Sequence, residues 1–258
     1  MPFEKELEFA LAMARRSGEV ALRIAAGVVA EERKKDDSPV TVADRECERI
    51  IAAALEDSFP LDGLLGEEGA LKESRSGRRW IVDPIDGTRD FLRGTPTWSV
   101  LIGLEADGDA VAGVCHLPAL GESYVAARGA GTWCGGRRLQ VSGVSRLDQA
   151  VVCVNSLHVV NRYAWGEKLL GWLAGAWAVR SFGGCMDAML IASGRADAWI
   201  EPVAASWDLC ALKIIIEEAG GRFFNFDGGS SIHGGDGLAC TPGLEAELRR
   251  AFTKNPGQ

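Results

Sequence analysis

The chain has 258 residues, 47% hydrophobic and 25% charged, which suits a soluble globular enzyme with room for a large core. Its 36 acidic and 28 basic side chains leave a net charge of −8, which argues against nucleic acid or an anionic membrane surface as partner. Seven scattered cysteines with no Cys-x-x-Cys pair, and three histidines without ligand spacing, argue against a disulfide framework or a zinc site and for a cytoplasmic protein with reduced thiols.

In chain order, residues 1–16 alternate acidic and basic side chains, unlike a signal peptide, and no apolar run anywhere reaches transmembrane length. Phe3, Leu7, Leu11, Ala14, Ala21 and Leu22 keep helical spacing, which predicts an amphipathic helix over about 3–26. The polar stretch 31–38 breaks it as a loop or hairpin tip. Thr41-Val42-Ala43-Asp44 resembles a capping box that opens a second helix through about Asp57. Leu64-Leu65-Gly66 is a short apolar run ending in Glu67 and Glu68, and 72–79 reads as a polar, mobile loop. Trp80-Ile81-Val82 reads as a buried strand. Strands are expected near 98–104, 110–116, 123–127 and 150–155, separated by turn residues. The remainder alternates: helix 162–174, strand 177–182, helix 185–193, strand 197–201, helix 206–219 and strand 222–226. This pattern implies helices layered on sheets in a single domain over 1–258, with subdomains of about 1–145 and 146–258.

The buried strand runs into Asp83-Pro84-Ile85-Asp86-Gly87-Thr88-Arg89-Asp90. Pro84 fixes its own φ and pushes Asp83 toward an extended backbone, while Gly87 permits positive φ or a close approach. Asp83 and Asp86 can then converge on one point, and converging carboxylates are the ligands of hard divalent cations. Glu67 ends an apolar strand as Asp83 does, so neighbouring strands would bring both acids to one sheet edge. Asp208 lies in the first turn of a helical segment, where it also complements the helix dipole. Taken singly, Glu67 and Asp208 read as solvent-facing or capping acids.

Gly66-Glu67-Glu68, residues 80–88 followed by Phe91, and Trp207-Asp208 with Glu217 and Ala219-Gly220-Gly221 downstream resemble the inositol monophosphatase family of magnesium-dependent phosphatases. Residues 39–44 fit the same pattern, and the similarity extends over nearly the whole chain. The resemblance implies an α/β fold, a five-layer αβαβα sandwich of the inositol monophosphatase or sugar phosphatase type, and a homodimer. It implies two or three Mg²⁺ ions. Glu67, Asp83 and the Ile85 carbonyl would hold one, and Asp83, Asp86 and Asp208 a second. The amides of Gly87 and Thr88 would cradle phosphate, and Thr88 with Asp44 would orient the attacking water beside Glu67. Bound cations would also explain how a chain of net charge −8 handles a phosphate dianion.

The implied reaction is hydrolysis of a small phosphorylated alcohol, either inositol monophosphate or histidinol phosphate. A bisphosphate phosphatase for a sugar or adenosine bisphosphate ranks lower, because no basic cluster awaits a second phosphate. A scaffold with a structural metal ranks lowest, because Thr88 and Asp44 would serve no purpose in it. Leu209-Cys210-Ala211-Leu212 after Trp-Asp, residues 117–121 and residues 94–98 favour the histidinol-phosphatase branch. Gly183-Gly184-Cys185 departs from the Gly-Asp of that branch, which removes an acid that could face an amine. Glu201, seven residues before Asp208, matches an acid that contacts substrate hydroxyls and would equally suit an ammonium. Asp90 stands where many relatives carry Asn and is expected to pair with Arg89 or Arg93 or to cap a short helix. Lys35 matches a loop lysine that reaches toward the site in some relatives. Trp165, Trp172 and Trp177 read as core or dimer contacts, and Cys185 and Cys210 as small buried hydrophobes.

Overall fold

The computed structural model describes residues 2–27, 32–33 and 39–253; the loop lysine Lys35 falls outside them. The first half runs α1 (Glu4–Ala25), β1 (Glu32–Arg33), β2 (Pro39–Val40), α2 (Val42–Ser58), β3 (Gly63–Gly66), β4 (Leu71–Lys72), β5 (Arg78–Asp86) and α3 (Thr88–Arg93). It continues with β6 (Ser99–Ala106), β7 (Asp109–Leu117), β8 (Glu122–Ala127), β9 (Gly131–Cys134) and β10 (Arg137–Leu139). The second half runs β11 (Val151–Val154), α4 (Leu169–Leu173), β12 (Ala178–Arg180), α5 (Gly184–Ala192) and β13 (Ala198–Glu201). It ends with α6 (Ser206–Glu218), β14 (Arg222–Phe224), β15 (Gly237–Cys240) and α7 (Glu245–Phe252).

An eight-stranded sheet has the order β10-β9-β8-β7-β6-β5-β3-β4, and a five-stranded sheet the order β12-β11-β13-β15-β14. The alternation of side chains along each strand decides what covers each face. Val100 and Ile102 of β6 pack with Trp80 and Val82 beneath α1 and α2, through Ala10, Ala14, Ile51 and Leu55. Leu101 and Ile81 face the other way, into α5 and α6, which in turn meet Cys153, Trp199 and Ala239 of the second sheet. Val152, Val154 and Ile200 point outward against Leu169 and Leu173 of α4 and Leu248 and Phe252 of α7. The result is an αβαβα sandwich in five layers, as the resemblance implies.

α2 begins at the expected capping box: the Thr41 side chain accepts from Ala43 N (3.0 Å), and Asp44 Oδ2 accepts from Thr41 N (2.8 Å). Three expectations need correction. Residues 72–79 are not simply a polar loop, because Arg78 and Arg79 already belong to β5. Their charges are absorbed by Asp62, Glu6 and Glu105 rather than by solvent. The helix expected over 162–174 contracts to α4 behind two 3₁₀ turns, Leu157–Arg162 and Gly166–Lys168. A β-carbon at Gly166 would lie 2.2 Å from the Val160 carbonyl, so the chain doubles back there instead of continuing a helix. Trp177, expected as a core or dimer contact, is 71% exposed in the monomer, which corrects only the core half of that expectation. The β9–β10 hairpin, β15 and α7 lie outside the expected pattern altogether.

Candidate active site

β5 pairs with β6 so that Asp83 faces Leu101 and Asp86 faces Ser99, four residues on one strand against three on the other. The extra residue is a bulge, and Pro84 sits inside it, where its missing N–H breaks no ladder. In a regular strand residues 83 and 86 would point to opposite faces; the bulge turns both acids toward α5 and α6. Ile85 is left on the far face, packed with Ala43, Cys47, Phe91 and Trp98. The Asp83 side chain tightens the turn by accepting from Ile85 N (3.0 Å). Gly87 then takes φ 85°, a left-handed conformation that starts α3.

β3 runs parallel to β5, with Gly66 opposite Val82, so Glu67 emerges beside Asp83. An unexpected residue fixes it there. Glu48 of α2, almost fully buried, accepts from the amides of Glu68 and Ala70 (both 2.8 Å) and braces the turn after Glu67. Gly66 is what admits this carboxylate, because a β-carbon there would lie 2.2 Å from Glu48 Oε2.

Asp208 is delivered from the opposite layer. Its Oδ2 accepts from Ala205 N (2.6 Å), so it closes the N-terminus of α6 as well as facing the cluster. α6 lies close against the sheet because Gly103 and Gly113 offer it no side chains. Added β-carbons would come within 2.5 Å of Cys210 Sγ and 2.8 Å of Ala211 Cα. Cys210 is thus the small buried hydrophobe that the sequence suggested. Cys185 is likewise fully buried, and its amide donates to Asp86 Oδ2 (3.3 Å).

Ligand oxygens of Asp83, Asp86 and Asp208 all lie within 4.8 Å of one another. Burial drives Asp83 well above the usual carboxylate range, and the charges of Glu67, Asp86 and Asp208 raise it further. Burial pushes Asp86 up to about 6, against hydrogen bonds from Cys185. Asp208 rises to about 7 through burial and then the Asp86 charge. Such a set of hard oxygen donors, crowded against mutual repulsion, fits a divalent cation better than it fits empty space.

Thr88 Oγ1 sits 3.4 Å from Asp44 Oδ1 and 3.3 Å from the Ile85 carbonyl. Asp44 is fully buried behind it, its pKa raised by burial while the hydrogen bonds of Thr41 pull the other way. Asp90 accepts from Thr95 Oγ1 (2.7 Å) within the α3 turn; among the described residues it forms no ion pair with Arg89 or Arg93.

These acids open onto a cleft of about 770 Å³. Glu67, Asp83, Ile85, Asp86, Gly87, Thr88, Gly184, Glu201 and Asp208 all line it, while Asp44 stands one layer behind Thr88. At the far end Glu201 Oε2 accepts from Asn155 Nδ2 (2.9 Å) and its Oε1 from Ser156 Oγ (3.0 Å). Burial raises Glu201 to about 8, with those two hydrogen bonds opposing. Asn155, Ser156 and Ser181 join this wall without having been expected, as does the brace Glu48. An acid eighteen residues before Gly66, on the predicted face of a helix, is the only signal the sequence offers for Glu48.

Comparison with known proteins agrees with this architecture. The sequence pattern of the inositol monophosphatase family matches residues 3–255. A histidinol-phosphatase of Mycobacterium tuberculosis is 41% identical over 94% of this chain and 96% of its own. An inositol-1-monophosphatase of Mesorhizobium japonicum is 38% identical over 83% of each. The crystal structure of the extragenic suppressor protein suhB from Bartonella henselae superposes with a TM-score of 0.88 at 30% identity, covering 98% of this chain and 100% of that one. The chain belongs to the inositol monophosphatase family, whose members are metal-dependent, and it is a phosphoric monoester hydrolase.

Proposed function

We propose that the chain is a Mg²⁺-dependent phosphomonoesterase that removes phosphate from a small alcohol by attack of water. The observation that carries this reading is the convergence of Asp83, Asp86 and Asp208 within 4.8 Å at the floor of a cleft that Glu67 and Thr88 also line. Glu67, Asp83 and the Ile85 carbonyl would hold one Mg²⁺ and Asp83, Asp86 and Asp208 another, with room for a third left open. Held there, Mg²⁺ would neutralise the phosphate dianion and lower the pKa of a water. Thr88 Oγ1 directs its hydrogen at Asp44 Oδ1 or the Ile85 carbonyl, which leaves a lone pair for the O–H of that water. Glu67 flanks the same point from β3. The amides of Gly87 and Thr88 face the phosphate oxygens.

Histidinol phosphate and inositol monophosphate remain the two substrates to weigh, and one observation favours the amine. Gly184 lacks the acid of the histidinol branch, yet carboxylates flank the glycine pair. β-Carbons built at Gly183 and Gly184 would stand 3.5 Å from Asp90 Oδ2 and 3.5 Å from Glu201 Oε2. An ammonium placed there meets Asp90 on one side and, on the other, Glu201, whose raised pKa the approaching cation would lower toward the ionised form. The hydroxyls of Ser156 and Ser181 and the Asn155 amide favour a polyol instead, which keeps inositol phosphate as the second reading. Phosphate release from histidinol phosphate, inositol 1-phosphate, fructose 1,6-bisphosphate and adenosine 3′,5′-bisphosphate under equal Mg²⁺ separates these. The expected order puts histidinol phosphate first, and a bisphosphate in first place refutes the reading.

The working unit in this proposal is a cytoplasmic homodimer of single-domain chains with halves of about 1–145 and 146–258. The α5–α6 layer shared by both sheets supports the single domain. Among the described residues no helix is long and apolar enough to cross a membrane, and all seven cysteines are free thiols.

A further inference from the structure

Behind the leaving-group end of the cleft lies an acid that none of this chemistry uses. Asp187, in the first turn of α5, is fully buried. Its Oδ1 accepts from the Phe182 amide (3.1 Å), while its Oδ2 lies beside the Cys153 and Asn155 side chains without a contact of full hydrogen-bond geometry. Burial pushes the carboxyl up to about 6, against the Phe182 amide and the adjacent side chains of Cys153 and Asn155. A half-satisfied buried carboxylate costs stability, and rules of good packing are broken chiefly at functional sites.

Asp187 reaches the cleft by two routes. The Phe182 amide ties it to the 182–184 turn, where Gly183 takes φ 111° and Gly184 lines the cleft. The second route is Asn155. Cys153 and Asn155 alternate along β11 and its extension, so both face α5, and the Asn155 amide N–H still bonds the Ile200 carbonyl (3.1 Å). The Asn155 side chain donates to Glu201 Oε2 (2.9 Å) and accepts from Ser181 Oγ (3.0 Å). One buried acid therefore stands against both the turn and the amide that shape the far end of the cleft.

We propose that Asp187 is a positioning residue for the leaving-group subsite, holding the 182–184 turn and the Asn155 amide so that Glu201 and Gly184 present a fixed surface to the alcohol. This rests on the assignment of Glu201 and Gly184 to that subsite. Asp187 contacts neither the carboxylate cluster nor the phosphate end, so its influence is on which ester is chosen rather than on the chemical step.

The test compares the parent protein, Asp187→Ala and Asp187→Asn on two esters in saturating Mg²⁺. One ester is whichever of histidinol phosphate and inositol 1-phosphate the parent turns over faster. The other is para-nitrophenyl phosphate, whose flat leaving group offers Glu201 neither amine nor hydroxyl. In Asp187→Ala the ratio of kcat/KM between the two esters falls about tenfold, through KM, the size of one lost hydrogen bond. Asp187→Asn keeps an acceptor for Phe182 and loses about threefold, with a Tm equal to or above the parent's. Adding Asn155→Ala to Asp187→Ala costs less than the sum of the two, because they act on one contact. Parallel losses on both esters, or a lower Tm in Asp187→Asn with the ratio unchanged, overturn the proposal. A parent inactive on all three esters contradicts the phosphatase reading itself and removes this proposal with it.

Discussion

Asp83 closes the Asp-Pro-Ile-Asp turn through its bond to Ile85 N and lies at the centre of the acidic cluster. Burial and the charges of Glu67, Asp86 and Asp208 penalise its ionisation when that cluster holds no cation. Asp83→Asn should therefore cut kcat by at least about 10²–10³-fold, the scale on which one lost preorganised electrostatic contact acts. The same change should raise the Tm of the metal-free protein at pH 8, because a crowded negative charge is gone. Steady-state kinetics and calorimetry check the two halves, and full turnover in Asp83→Asn at saturating Mg²⁺ contradicts the assignment. Glu48→Ala, which unties the turn behind Glu67, should cost about 10–100-fold in activity or metal affinity, as lost supports of ligands do. The cluster residues were legible in the sequence because each sits in a motif with fixed chemistry. Glu48, Asn155 and Asp187 were not, because their roles exist only where distant elements meet, and a lone acid or amide on a helix face carries no mark of its partner.

Elements were legible where a local signal was strong. The capping box placed the start of α2 to the residue, whereas the strand read over 80–82 in fact runs on through Asp86 with a bulge at Pro84. Two apolar runs that each end in an acid suggested neighbouring strands, and β3 and β5 do pair, in parallel. β15 escaped notice because Gly237-Leu238-Ala239-Cys240 lacks β-branched residues and pairs between β13 and β14, out of chain order. The Gly135-Gly136 turn between β9 and β10 was a readable hairpin signal. α6 shows how an element's seat controls chemistry, since Asp208 reaches the cluster only if Cys210 and Ala211 can approach Gly103 and Gly113. Gly103→Ala should destabilise the fold by about 1–3 kcal/mol through overpacking. It should also weaken Mg²⁺ binding by moving the helix that carries Asp208. Denaturant unfolding and Mg²⁺ titration would show both losses, and a variant of parental stability contradicts this account of the packing.

At the scale of the molecule, two layers of acids are brought face to face, and their ionisation becomes part of stability. Asp86 and Asp208 titrate near 6 and 7 in the folded protein, against ~3.9 in an unfolded chain. Below about pH 4 both states are protonated and nothing is lost. As pH rises the unfolded chain ionises first, so the stabilising contribution of the protonated pair disappears by about pH 7. The Tm of the metal-free protein should therefore fall between about pH 4 and pH 7, and the rise in Tm on adding Mg²⁺ should grow over the same interval. A metal-free Tm that is flat or rising across that range would count against the crowding of these carboxylates. The most direct test of the central claim is phosphate release from histidinol phosphate by metal-stripped protein as Mg²⁺ is added back. The account predicts no release in chelator, saturable recovery with Mg²⁺, and a shift of that curve to higher Mg²⁺ in Asp208→Asn. Release at the full rate in chelator would contradict it.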